Sequence, residues 1–149
     1  MTARERRRER YREWLAAQHA QYGFDDEIAG LAIRVSKGIP NDVPPLELWH
    51  QVLPTLRVLE LVRERFGPTT VLSAYRAPQY NSAIGGEERS WHMQNRALDF
   101  RATTGSPGDW ATFLRGLRDA GRFTGGVGVY PSQGFVHVDT RGTVADWIG

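Results

Sequence analysis

Residues 134–140 read Gly-Phe-Val-His-Val-Asp-Thr, and residues 96–101 read Arg-Ala-Leu-Asp-Phe-Arg. If each is a strand, alternation puts Val136 and Val138 on one face and Phe135, His137 and Asp139 on the other. The same rule puts Leu98 and Phe100 on one face of the second segment and Ala97, Asp99 and Arg101 opposite. Both segments therefore have an apolar back and a polar front, as expected of strands in a half-buried sheet. A histidine and a carboxylate projecting from the same side of one sheet suit a rigid zinc site, and His92, seven residues before Asp99, can add a third ligand from a loop. Two histidines and one carboxylate leave a coordination position open for water. Taken singly, each residue has a plainer reading: a strand histidine can be hydrogen-bonded or exposed, and Asp99 can pair with Arg96 or Arg101.

Outward from these segments, further short strands are expected at 70–74 and 126–130, bounded by Gly, Pro, Ser or Asn. Tyr130-Pro131-Ser132-Gln133-Gly134 reads as a hairpin loop, which makes the last two strands antiparallel neighbours. Ser106 as N-cap, Pro107 at the first helical position, an apolar face of Trp110, Phe113, Leu114 and Leu117, and Gly121 as stop define a helix from 107 to 120. From Pro44, the apolar positions Leu46, Trp49, Val52, Leu53, Leu56, Leu59, Val62 and Phe66 keep helical period up to Gly67-Pro68, with Pro54 expected to kink or split the run. Residues 3–19 read as a charged helix docked through Tyr11, Trp14 and Leu15, with Arg6 to Arg8 solvated. Between these helices, residues 28–35 form a short apolar element flanked by loops. The fold class is α+β, a small antiparallel sheet with helices packed on it. Residues 1–43 form an N-terminal helix and connecting segment and residues 44–149 the functional domain, the whole expected to be one compact unit.

Composition narrows the chemistry. The 149 residues include no cysteine, so a metal site must draw on the four histidines and on carboxylates. His19 lies on the charged first helix and His50 follows Trp49 in an amphipathic run, so both read as surface or packing residues. All the basic residues but Lys37 are arginine, yet the net charge is only +2, which argues against a nucleic-acid partner. No run is long enough for a membrane span, and the first 20 residues contain no signal-peptide core.

Three ordered blocks resemble the M15-type zinc peptidases, the D-Ala-D-Ala carboxypeptidases and murein endopeptidases whose fold is shared by the hedgehog signalling domain. They are Ser73-Ala74-Tyr75-Arg76-Ala77-Pro78-Gln79-Tyr80-Asn81 with Gly85-Gly86, Ser90-Trp91-His92-Met93-Gln94-Asn95-Arg96-Ala97-Leu98-Asp99, and Gly125 to Pro131 with Gly134 to Thr140. Trp147 also fits the murein endopeptidase branch. The resemblance spans roughly residues 44 to 147. It implies a DD-peptidase-like fold, a zinc ion held by His92, Asp99 and His137, and Arg76 as a functional residue. It further implies hydrolysis of peptide bonds in peptidoglycan stem peptides or cross-links, by an endopeptidase or D,D-carboxypeptidase acting on the bacterial cell wall. Asn95 stands where the family has glycine, and asparagine tolerates the left-handed backbone of such a turn. Gly134 stands where many members place a catalytic glutamate, so that general base is not carried over.

In its place Asp139, on the same strand face as His137, is the candidate base, with orientation of a ligand histidine or pairing with an arginine as the alternative. Arg76 is expected to bind a substrate carboxylate or the oxyanion through its fork of donors. Ser90, Trp91 and Tyr130 adjoin the ligand segments and are expected along the substrate cleft. The alternative to an enzyme is a zinc-stabilised cell-wall binding domain without turnover.

Overall fold

A computed structural model describes residues 1–18 and 23–149. Helix α1 (Ala3–Gln18) buries Tyr11 and Leu15, each 1% exposed, in the core, with Trp14 packed beside them. His19 lies outside the described residues. The short element expected at 28–35 is α2 (Phe24–Gly30) running into a 3₁₀ turn, Leu31–Ile33, followed by a two-stranded ribbon of β1 (Val35–Ser36) and β2 (Ile39–Pro40).

The long periodic run divides where Pro54 predicts. Leu46–Val52 winds as a 3₁₀ helix and α3 (Leu53–Phe66) begins one residue before the proline. In the first turn the missing N–H of Pro54 removes no helical hydrogen bond, so α3 starts there rather than kinking. His50 is exposed on the 3₁₀ segment. Strand β3 (Thr69–Ser73) follows, then α4 (Pro78–Ala83), a short helix not anticipated from periodicity.

Strand β4 (Ala97–Ala102) leads to α5 (Pro107–Asp119), whose start shows a full capping box: Ser106 Oγ accepts the Asp109 N–H, and the Asp109 carboxylate accepts the Ser106 N–H. Strands β5 (Gly126–Tyr130) and β6 (Phe135–Asp139) form the expected antiparallel hairpin, and β7 (Ala145–Ile148) ends the chain.

The five strands lie in the order β3-β4-β6-β5-β7, antiparallel except that β7 joins β5 in parallel. On the inner face, Leu98, Phe100, Val127, Val136 and Val138 are wholly buried in one core with Leu56, Leu59 and Val62 of α3 and Leu114 of α5. Burying each such side chain is worth about 1.5–3 kcal/mol relative to exposure, and this fixes the register of the strands. The opposite face is thereby left to the polar residues.

Candidate metal centre

In the antiparallel register of β4 and β6, Asp99 lies directly opposite His137, and Ala97 opposite Asp139. Gly128 of β5 faces His137 on its other side, and Trp147 of β7 faces Gly128. One rank across the sheet therefore reads Asp99, His137, Gly128, Trp147, all on the face away from the core. His92 enters from a 3₁₀ turn, Trp91–Gln94, whose cap Ser90 accepts the His92 N–H through Oγ at 3.2 Å. The chain then turns back into β4 through Asn95, whose φ of 58° and ψ of 32° are the left-handed values expected for this position. Its side chain adds what glycine cannot, since Asn95 Nδ2 donates to the Leu48 carbonyl at 2.9 Å and to the Trp49 carbonyl at 3.2 Å.

His92, Asp99 and His137 are all buried, and one potential ligand atom from each lies within 4.8 Å of the others. His92 Nδ1 lies 2.7 Å from the Ala74 carbonyl oxygen, which can only accept, so the imidazole proton sits on Nδ1 and the Nε2 lone pair points at Asp99 Oδ1, 3.2 Å away. His137 Nε2 lies 2.7 Å from Asp139 Oδ2, and its Nδ1 faces the same Asp99 oxygen at 2.9 Å. Neutral imidazoles in these tautomers present two nitrogen lone pairs to one carboxylate. Three acceptors converge, and only extra protons or a cation between them makes that arrangement favourable. Burial opposes the extra proton on His92, lowering its pKa despite the nearby Asp99, whereas on His137 the bonds to Asp139 and Asp99 outweigh burial and raise it. A divalent cation meets the requirement without an extra proton, and two imidazoles and a carboxylate are a donor set that zinc accepts.

The surrounding groups hold these side chains in place. Asp139 is fully buried and accepts from His137 Nε2, from the backbone N–H of Gly126 at 2.9 Å, and from Arg141 through its backbone N–H at 3.1 Å, Nε at 2.9 Å and Nη2 at 2.7 Å. Burial raises its pKa, but the hydrogen bonds from Arg141, His137 and Gly126 outweigh it and hold the carboxyl well below the usual range. In the metal-free protein Asp99 is likewise held low, burial being outweighed by the positive field and the hydrogen bonds that His92 and His137 supply when they carry the extra protons. The remaining oxygen of Asp99 is braced by Arg76 rather than by Arg96 or Arg101: Arg76 Nη2 lies 3.2 Å from Oδ2. Arg76 also donates through Nε to Ser73 Oγ at 2.9 Å and through Nη1 to Asn81 Oδ1 at 3.2 Å, so its fork is largely committed within the protein.

Above the three residues opens a cleft of about 630 Å³. Its walls include Arg76, Ser90, Trp91 and Tyr130 together with Arg141 and Trp147. Trp147 is seated by glycines: a Cβ on Gly128 would lie 2.3 Å from its Cε2, and one on Gly126 would lie 2.6 Å from Asp139 Oδ2 and 2.8 Å from Arg141 Nη2. The pattern Gly126-Val127-Gly128 thus reserves the cleft face of β5 for groups from elsewhere while the valine faces the core. Alternating glycines inside a strand are the signal for such a close approach. Gly134 has φ 77° in the β5–β6 turn and donates its N–H to the Tyr130 carbonyl at 2.8 Å. A side chain there would be strained.

This fold, with its buried histidine–aspartate–histidine set on the open face of the sheet, is matched by the Peptidase M15 family model over residues 24–139, and the chain belongs to that family. It is also similar to a Haemophilus influenzae protein named "Probable peptidoglycan L,D-endopeptidase MepK", 33% identical over 84 residues that cover 53% of this chain and 42% of that protein. The matched region therefore spans less than half the length of that relative. No solved structure matches the chain significantly.

Proposed function

We propose that this protein is a zinc-dependent peptidase that cleaves peptide bonds in the stem peptides or cross-links of bacterial peptidoglycan. The observation that carries this reading is the convergence of His92 Nε2, Asp99 and His137 Nδ1, with the outer nitrogen of each imidazole tied to an acceptor. Tethered outer nitrogens fix tautomer and ring orientation, as metal-binding histidines require. Zinc, when bound, polarises the scissile carbonyl and lowers the pKa of water to about 7. The rest falls to the chain's own groups. His92, Asp99 and His137 would hold the ion, with Arg76 fixing the second oxygen of Asp99 and Asp139 orienting His137. Trp91, Ser90 and Tyr130 line the space for the peptide. Asp139 is assigned orientation rather than proton abstraction, because its oxygens are already occupied by five donors and its pKa is low.

The relative's name makes an endopeptidase cut within the stem the first bond to test, ahead of removal of a terminal D-alanine. Residues 1–43 and 44–149 are taken as one unit acting on the cell wall, in keeping with the place of Tyr11 and Leu15 in the common core. Nucleic acid is not a proposed partner. Among the described residues no helix is long and apolar enough to cross a membrane.

A second reading, a zinc-stabilised wall-binding domain without turnover, is favoured by one observation: neither Gly134 nor the occupied Asp139 offers a general base. Incubation of the zinc-loaded protein and of His137→Ala with purified sacculi, followed by mass spectrometry of the muropeptides, decides between them. Shortened or unlinked stems with the wild type alone support the peptidase. Zinc binding with unchanged sacculi overturns it in favour of the binding domain.

A further inference from the structure

Arg141 occupies a place that the metal centre alone does not explain. Its guanidinium carbon lies 5.5 Å from the ring centre of Trp91 and 5.4 Å from that of Trp147, so two indoles stand near it. Nε and Nη2 are turned down onto the buried Asp139 carboxylate. Among the described residues Nη1 has no hydrogen-bond partner, and it is not a buried unsatisfied atom, which leaves it open to the cleft that Arg141 lines. The Arg76 fork is turned largely to Ser73, Asn81 and Asp99, whereas Arg141 is rigidly held and keeps one whole terminal nitrogen free to donate. The charges of Arg76, Arg89 and Arg141 offset those of Glu87, Asp99 and Asp139, so a bound divalent cation makes the site net positive.

We propose that Arg141 is a specificity-determining residue that recognises a carboxylate of the peptide substrate through Nη1, its guanidinium being held near Trp91 and Trp147 by Asp139. The inference rests on the peptidase reading for its substrate and on Arg141's own geometry for its chemistry. A carboxamide of the same shape lacks the charge that Arg141 complements, so the site discriminates acid from amide. Arginine suits this task because one edge of its planar fork can bind Asp139 while another faces the ligand.

The test uses synthetic stem peptides in which each free carboxylate is replaced in turn by a carboxamide, assayed with zinc-loaded wild type and Arg141→Gln. For one of these replacements the wild type is expected to lose about 10- to 100-fold in kcat/KM, chiefly through KM. In Arg141→Gln the acid-to-amide ratio for that position collapses to about twofold or less. Because the ratio is taken within one variant, a general loss from a disturbed Asp139 or His137 cancels. Should Arg141→Gln not fold, Arg141→Lys replaces it, keeping a cation beside Asp139 without the fork, and its ratio is expected to fall below that of the wild type. A wild type indifferent to every amidation, or a variant that keeps the full ratio, overturns the proposal while leaving the peptidase reading intact. If the wild type hydrolyses no peptide, that reading fails, and calorimetric binding of the same acid and amide pairs to wild type and variant tests Arg141 by itself.

Discussion

Asp99 and His137 are cross-strand partners on β4 and β6, and Asp99 Oδ1 lies 2.9 Å from His137 Nδ1. Two of the three proposed ligands are therefore positioned by backbone pairing in the centre of the sheet, where a slip of one residue would turn both into the core. Only His92 depends on a loop. Removing Asp99 or His137 by alanine substitution is expected to abolish stoichiometric zinc uptake, measured by elemental analysis, while far-UV circular dichroism stays that of the wild type. Chelation of the wild type should lower its melting temperature, since a metal present at about 100 times its Kd contributes about 2.7 kcal/mol to stability. A chelator with no effect on either zinc content or melting would remove the metal from the account.

Asp139→Asn separates orientation from base catalysis. As an orienting group, its loss is expected to cost about 10- to 100-fold in zinc affinity or activity, with the acidic limb of the pH–rate profile retained. A general base would instead take that limb with it and cost about 10² to 10⁴ in rate. A full pH profile of the variant distinguishes the two outcomes.

Arg76→Lys keeps the charge but not the fork that joins Ser73, Asn81 and Asp99. With Asp99 Oδ2 left without its donor, zinc affinity is expected to fall by about tenfold or more, read by competition with a chelating dye. Unchanged affinity would return Arg76 to a role with substrate alone.

Gly128→Ala places a methyl 2.3 Å from Trp147 Cε2, so the indole must move. The expected cost is about 1–3 kcal/mol in urea unfolding. Adding Trp147→Leu should recover part of it, giving a favourable coupling in the double-mutant cycle. Strict additivity would show that Trp147 does not rest on this glycine.

In the metal-free protein, Asp99 and Asp139 have pKa values below their ordinary 3.8. The unfolded chain therefore binds protons more readily than the folded one as the pH falls through 3.8. Their contribution is fully present above that value and is lost as pH falls toward the depressed folded pKa values. His92, pushed down by burial, acts in the same direction below its ordinary 6.5. His137, raised against burial by its bonds to Asp139 and Asp99, acts in the opposite direction, its contribution being present below 6.5 and lost as the pH rises. Urea midpoints should therefore fall as the pH drops below the carboxylates' ordinary 3.8, and Asp139→Asn should flatten that part of the curve.

Much of this arrangement was legible in local pattern. The capped α5, the split at Pro54 and the polar faces of β4 and β6 follow from caps, ring geometry and period-two alternation. Less legible were α4, only six residues long, and β7, which pairs in parallel with β5 from the far end of the chain. The alternation in Ala145-Asp146-Trp147-Ile148 is too short to announce a strand, and no turn signal shows a partner. Arg141 was invisible as a cleft residue because nothing in the local sequence tells which of many arginines meets a buried carboxylate.

The residue types and their spacing alone determined the fold class, the pairing of the last hairpin and the short list of groups able to hold a metal, because caps, alternation and the absence of cysteine are properties of neighbouring residues. Only the tertiary structure decided what each group is for. It closed the Arg76 fork on Asp99, buried Asp139 beneath Arg141 and set Trp147 on the glycines of β5. Arg141 is only two residues from Asp139, but Arg76 meets Asp99 and Trp147 meets Gly128 from separate segments, and the energies of all three contacts depend on burial and on partners that exist only once the sheet has formed.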